Sequence, residues 1–271
     1  MLLHGRMGNQ MFQFAFVHLL SKERKVNYLV QVDRHKYYLQ LFNLPLPFKL
    51  FTFKLFYRIY NAIEKRLPVN RHIVMRDCKE RIEIPIDING LLFDGYFQDA
   101  AFYENRREEL QQIFSIRKSY SSQFYKKYNS LFSEYKTLVV SMRLDEDYKN
   151  FYLSDLGNAP VLLPENWYVH ILERIKKDYQ KIIVISDRLD LARKIISGYD
   201  DIIFASEAPE IQFQLLMHAN ACIIPNSSFA WWGAFLNNRP EKKIYAPLHW
   251  AGYHAGIEYP AGIMTKEFIW V

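Results

Sequence analysis

Cysteine is nearly absent from this sequence: two in 271 residues, Cys78 and Cys222, far apart and without metal-ligand spacing. That excludes a disulfide-stapled fold and a cysteine-based zinc site, and it makes a reducing, cytoplasmic setting the default. The eight histidines are scattered, with no pair four apart on a helix face, so histidine metal ligation is not expected either. No apolar run approaches the length of a membrane span. Met1-Leu2-Leu3 runs straight into His4-Gly5-Arg6, which is not the pattern of a signal peptide. Repeats and low-complexity tracts are missing as well. What remains is a chain half hydrophobic and one-sixth aromatic, with a formal charge of +6. Such a chain folds as a large globular protein, and its mild basic excess suits nucleic acid, an anionic membrane surface or a phosphorylated small molecule, and equally serves solubility alone.

The second half is the more regular. Five short runs rich in Val and Ile, at 137–142, 181–186, 201–205, 221–224 and 243–246, read as buried strands. Helical patterns lie between them, near 165–178, 188–197, 209–220 and 228–236. This alternation predicts an α/β domain whose parallel sheet is covered on both faces. Ligands of such sheets bind outside the carboxyl ends of the strands. The residues there are Arg143, Asp187, Ser206 with Glu207, Asn226 with Ser227, and His249. A cation, carboxylates and hydroxyls on one rim make a candidate nucleotide site. Arg143 suits a diphosphate, because guanidinium matches phosphate oxygens in a fork, although Asp145 and Glu146 are also near enough for a surface salt bridge. Asn226, Ser227 and Ser228 are good helix caps before an apolar helix, and a helix N-terminus favours an anion. Asp145-Glu146-Asp147 has the Asp-x-Asp spacing that holds a divalent metal in many sugar-nucleotide enzymes, a short and common pattern.

The first half is less orderly. Gly5-Arg6-Met7-Gly8-Asn9 precedes a helix marked by Met11, Phe12, Ala15, Phe16, Leu19 and Leu20, then a strand from Val26 to Val32 ending at Asp33. A glycine-containing loop at a helix start can bring backbone N–H groups close to an oxyanion, and it also serves as a plain tight turn. Residues 48–66 interleave Phe and Tyr with Lys49, Lys54, Arg58, Lys65 and Arg66. The pattern fits a peripheral contact with the inner membrane face, and equally a helix packed on its own domain. A strand is expected at 90–98 and a polar helix at 102–113. Residues 117–136 show no clear apolar period, and the domain boundary is expected there, giving domains 1–135 and 136–271.

Four motifs resemble those of the family-11 glycosyltransferases, the α-1,2-fucosyltransferases. They are Gly5-Arg6-Met7-Gly8-Asn9-Gln10-Met11-Phe12-Gln13, Gly95-Tyr96-Phe97-Gln98, Ile185-Ser186-Asp187, and Asn226-Ser227-Ser228-Phe229-Ala230-Trp231-Trp232-Gly233-Ala234. The last is long and unusual. The resemblance implies a GT-B-like α/β fold, two Rossmann-like domains facing a cleft, an N-terminal acceptor side and a C-terminal donor side. It implies that L-fucose passes from GDP-L-fucose to the 2-hydroxyl of a galactoside-terminated glycan with inversion, and that no metal or other cofactor is required. Gly8, Asn9, Arg143, Asp187, Glu207, Asn226, Ser227, Ser228 and Phe229 are the expected donor-binding set. Arg143 is the expected diphosphate grip, with Asp33 and Asn9 as candidates for activating the acceptor. This sequence departs from the family at Ser141 and Leu144, where a His and a second Arg are usual, and at Phe213 and Ala221, in place of an Asp and a His. These departures admit a different nucleotide sugar. A non-catalytic nucleotide or nucleic-acid binder is the reading from another class. It is disfavoured because basic residues are densest at 49–81, away from the rim.

Overall fold

The computed structural model describes residues 2–23, 28–31, 35–45, 49–51, 62, 71–75, 80–81, 91–199 and 202–271. They divide into two units, Met1–Ser115 with Pro260–Gly262, and Ile116–Tyr259 with Ile263–Val271.

In the first unit β1 (Leu2–Leu3) leads through α1 (Met7–Glu23) to β2 (Tyr28–Gln31). Strands β1 and β2 pair in parallel, and β3 (Lys49–Phe51) adds in parallel beyond β2. A second parallel pair is β4 (Arg71–Met75) with β5 (Leu91–Gly95). The segment between β5 and α2 (Arg107–Ile113) is built of tight turns, so the helix expected from 102 starts later. From Met7 to His18, α1 is buried nearly all round, which explains why phenylalanine appears at 12, 14 and 16 rather than on one face. Phe16 stacks on Phe97 at 4.1 Å, and Phe14 meets Phe114 edge-on at 6.0 Å.

The second unit opens with α3 (Lys118–Glu134), which fills most of the 117–136 stretch where the boundary is expected. Phe124, Tyr128 and Phe132 are buried at four-residue spacing, an apolar stripe thinned by polar neighbours and therefore easy to overlook. The Phe124 ring stacks on His218 at 4.9 Å, and Arg239 donates to the carbonyls of His218 and Phe132. Helix α3 thus packs with the second unit, and the division falls between Ser115 and Ile116 rather than after residue 135.

From there the chain follows the predicted alternation closely. It runs β6 (Thr137–Met142), α4 (Glu146–Lys149), the hairpin β7 (Tyr152–Leu153) with β8 (Ala159–Pro160), and α5 (Glu165–Ile175). Then come β9 (Lys181–Ser186), α6 (Leu189–Ile195), β10 (Ile202–Phe204), α7 (Pro209–His218) and β11 (Ala221–Ile223). The chain finishes with α8 (Ser228–Phe235), β12 (Lys243–Ala246) and β13 (Ile269–Trp270). Among the described residues the sheet is all-parallel in the order β10-β9-β6-β11-β12-β13. Numbered from β6, that is 3-2-1-4-5-6, the order of a dinucleotide-binding sheet. Every residue of the central β6 is buried, as a strand covered on both faces requires.

Candidate functional site

The strand order fixes where a ligand belongs. From β6 the chain moves outward through β9 and β10, then returns to lay β11 on the other side of β6. The crevice at the carboxyl ends of β6 and β11 is the topological switch point. Arg143 follows β6, and the turn Pro225-Asn226-Ser227 follows β11.

Arg143 is one-fifth exposed at its side chain and held on three sides. Its Nη2 lies 2.7 Å from Asp145 Oδ2, and its Cζ sits 4.6 Å from the centre of the Tyr148 ring. Its Nε is 3.0 Å from Asp187 Oδ2 but off the hydrogen-bonding direction, so that N–H is left without a directed acceptor. Asp187 sits just past β9 and accepts from the Leu144 N–H at 2.8 Å through its other oxygen. Burial pushes its carboxyl above the usual carboxylate range, opposed by that N–H and by Arg143. Below them the buried Tyr168 hydroxyl, whose pKa burial raises, lies 3.5 Å from the Arg143 N–H. The salt bridge to Asp145 weighed in the sequence is therefore real, but it belongs to a network containing the expected rim residue Asp187.

Asp145 is fully engaged. One oxygen caps α4 by accepting from Tyr148 N–H at 3.0 Å, and the other holds Arg143. Among the described residues no three acidic, His or Cys side chains are placed to share a metal ion.

Across the crevice, Tyr148 donates its hydroxyl to the Asn226 carbonyl at 2.9 Å, tying the β6 end to the β11 turn. The Asn226 side chain, expected to cradle the nucleotide, is turned inward and donates to the Val161 carbonyl at 2.7 Å. It holds the turn. Ser227 occupies the N-cap of α8, yet its hydroxyl caps nothing, so the capping expected of it is not made. Phe229 is half-buried edge-on to Phe213 at 5.4 Å, and Trp231 and Trp232 are core, fully buried. Trp231 donates to the Ile263 carbonyl at 3.2 Å. The apolar half of the motif thus anchors the helix, and its polar start is what the rim displays. Glu207, past β10, is held by the Tyr128 hydroxyl at 2.7 Å and by Lys127, both from α3. Helix α3 was the missed neighbour of this rim.

Gly8 and Asn9 stand in the first unit, within α1. Of the two glycines Gly5 carries the special backbone, with φ +82°, and Asn9 Nδ2 lies 2.8 Å from where a Cβ would be. Asn9 Oδ1 accepts from Gln98 Nε2 at 3.0 Å, so the first two motifs meet. Gln10 and Gln13 were quoted only as part of a motif, and here they have evident work. Buried Gln10 donates to the carbonyls of Gly5 and Lys36 and accepts from Tyr38 N–H, each at 2.9 Å. Buried Gln13 accepts from His4 N–H at 3.0 Å and donates to the Gly95 carbonyl at 2.8 Å, joining the ends of β1 and β5. Polar residues spaced three apart inside an apolar helix were the available signal for these staples. Asp33 and nearly all of 48–66 lie outside the described residues.

Residues 161–253 match the model of glycosyl transferase family 11. The O-antigen biosynthesis glycosyltransferase WbnK of Escherichia coli is 25% identical over 92% of this chain and 93% of that protein. The α-1,2-colitosyltransferase of the same organism is 26% identical over 92% and 90%. The galactoside α-(1,2)-fucosyltransferase 2 of the gorilla is 23% identical over 86% and 67%. In fold, the NodZ α-1,6-fucosyltransferase co-crystallised with GDP superposes with a TM-score of 0.52, at 12% identity over 87% of this chain and 91% of that one. The expected fold class, α/β of the GT-B kind, is the one found. The family match takes in the turn after β11 and the bacterial relatives span most of the chain, so the chain is a glycosyltransferase similar to those of family 11 and to the fucosyltransferases among its relatives.

Proposed function

We propose that the enzyme transfers L-fucose from GDP-L-fucose to the 2-hydroxyl of a galactoside, with inversion and without a metal ion. The observation that carries this reading is Arg143 at the β6/β11 switch point, tied through Tyr148 to the Asn226–Phe229 turn. Direct displacement forms a bond from the acceptor oxygen to the anomeric carbon as the bond to phosphate breaks, its electron pair leaving with GDP. Charge then grows on the diphosphate, and a preorganised guanidinium and helix end stabilise it. Arg143 gives up Asp145 for a phosphate oxygen, while Asp187 stays behind the guanidinium and fixes its plane. The Arg143 Nε–H, without a directed acceptor in the free enzyme, gains one.

A thermal-shift panel of GDP, UDP, ADP and CMP tests the donor, since a ligand of the native state alone must raise the melting temperature. GDP stabilises and UDP does not. Equal shifts from both, or none from GDP, refute the GDP assignment. A second reading, another GDP-linked deoxysugar as donor, is favoured by Leu144 at the place of a second arginine and by the α-1,2-colitosyltransferase relative. Transfer rates from GDP-fucose and GDP-colitose to one galactoside decide between them.

A further inference from the structure

The second unit's rim carries a carboxylate past β9 and another past β10, and they differ in what they still have free. Asp187, past β9, is occupied on both oxygens. One accepts from the Leu144 N–H at 2.8 Å, and the other faces Arg143 at 3.0 Å. Glu207, three residues past β10, is occupied on one side only. Its Oε1 accepts from the Tyr128 hydroxyl at 2.7 Å and from Lys127. Its Oε2 is bonded by no described residue. A carboxylate has about four acceptor sites, two on each oxygen, so the two that remain are both on Oε2.

The group is also held still. Its side chain is 14% exposed, and Gln212 donates to its backbone carbonyl at 2.8 Å. Tyr128 is buried, and burial with the Glu207 carboxylate beside it pushes its phenol far above the usual range, so it stays a donor. The sheet order places this acceptor relative to a bound nucleotide. With the diphosphate at Arg143, at the end of β6, the nucleoside runs along the carboxyl rim. In a sheet of this order the ribose meets the strand next outward, which here is β9. The base then falls at β10, two strands and about 10 Å from β6, a span that a ribose and base cover. Guanine presents two adjacent donors on one edge, N1–H and the 2-amino group. Adenine, uracil and cytosine present no such pair.

We propose that Glu207 selects guanine by accepting its N1–H and 2-amino N–H on Oε2; this rests on the GDP reading above. The site lies wholly within the second unit, and α3 supplies the two donors that fix the carboxylate from behind.

The test is calorimetric binding of GDP, inosine diphosphate and xanthosine diphosphate to wild type and to Glu207→Gln. Inosine diphosphate lacks the 2-amino group, and xanthosine diphosphate has a carbonyl in its place. One charge-assisted hydrogen bond makes wild type prefer GDP over inosine diphosphate by about 10- to 150-fold. In Glu207→Gln the amide oxygen keeps Tyr128 and Lys127, so the amide N–H groups turn to the base. They oppose guanine's donors and match the xanthine carbonyl. GDP is therefore expected to lose its advantage over inosine diphosphate, and xanthosine diphosphate to bind more tightly than GDP. A Glu207 that only pins α3 to β10 would lower the melting temperature of the variant without reversing that order. An unchanged ratio of GDP to inosine diphosphate in Glu207→Gln, or no gain of xanthosine diphosphate over GDP, overturns the proposal. Equal affinity of wild type for GDP and inosine diphosphate overturns it even if the variant does not fold, and leaves a GDP-over-UDP preference standing. Binding of none of the three by wild type refutes the GDP reading, and this one with it.

Discussion

Replacing Arg143 by lysine keeps its charge and removes its geometry. The guanidinium reaches Asp145 through Nη2 at 2.7 Å and Asp187 through Nε at 3.0 Å while lying on the Tyr148 ring. An ammonium is a point donor on a flexible stem and cannot hold that plane. On the proposed reading, with Leu144 where a second arginine would stand, Arg143 is the strand end's one cation for the diphosphate. One charge-assisted hydrogen bond is worth about 1.5–3 kcal/mol. Losing one that strengthens as the leaving group gains charge lowers the rate by about 10- to 150-fold. The fall is expected in kcat as well as in donor KM, because the interaction is stronger in the transition state. Steady-state transfer with varied donor measures both. Asp145→Asn is the companion variant. Its remaining oxygen can still cap α4, but the carboxylate competing for Arg143 is gone. A partly exposed pair is worth about 0.2–1 kcal/mol, so donor binding is expected to tighten by about 1.5- to 5-fold. Near-wild-type kcat in both Arg143→Lys and Arg143→Ala would refute the reasoning, leaving Arg143 a structural ion pair between the ends of β6 and β9.

The remaining expectations are independent of that one. His218 is partly buried among Phe124, Tyr125 and Phe132, and that burial with Arg239 nearby lowers its pKa to about 4. The unfolded chain therefore takes up a proton between about pH 6.5 and 4 that the folded one refuses, so stability falls on acidification through that window. The full span is worth on the order of 3 kcal/mol, and His218→Phe should flatten this part of the stability–pH curve; equal slopes in the two proteins would exclude His218 as the cause. Gly233→Ala places a methyl 2.9 Å from Leu216 Cβ, where α7 and α8 touch. Overpacking of about 1–3 kcal/mol outweighs the helix-propensity gain of about 1 kcal/mol, so the melting temperature drops, and a rise would show that the two helices separate freely. On the proposed mechanism, in which Arg143 and the α8 end supply the counter-charge, EDTA is expected to leave transfer unchanged; loss restored by manganese would make Asp145 and Asp147 metal ligands.

Legibility in the sequence followed the strength of the hydrophobic signal. The second unit's strands are continuous apolar runs, since both faces of its sheet are covered, and their bounds were readable almost to the residue. The rim followed from them, because parallel strands put their following residues on one edge. The short additions were not readable. Strand β13 is two residues long, and α4 is a single turn whose sequence looked like a metal motif. Helix α3 buries three aromatic side chains in seventeen residues, too thin a stripe to distinguish from a linker.

Side-chain roles were the least legible part, for a physical reason. A motif records which residue types are needed, without recording which way each one faces. Asn226 was read as a helix cap and part of a donor-binding turn, yet its side-chain N–H is spent on the Val161 carbonyl. Gln10 and Gln13 drew no attention because glutamine in a helix is ordinary, yet burial makes each of them a cross-link between segments. Burial reverses the expectation in both cases. A polar side chain in a closed site must find its partners within the protein, and once it has them it is no longer available to a ligand. By the same logic the Arg143 Nε–H, left without a directed acceptor, is the donor at the second unit's rim that is still available to a ligand.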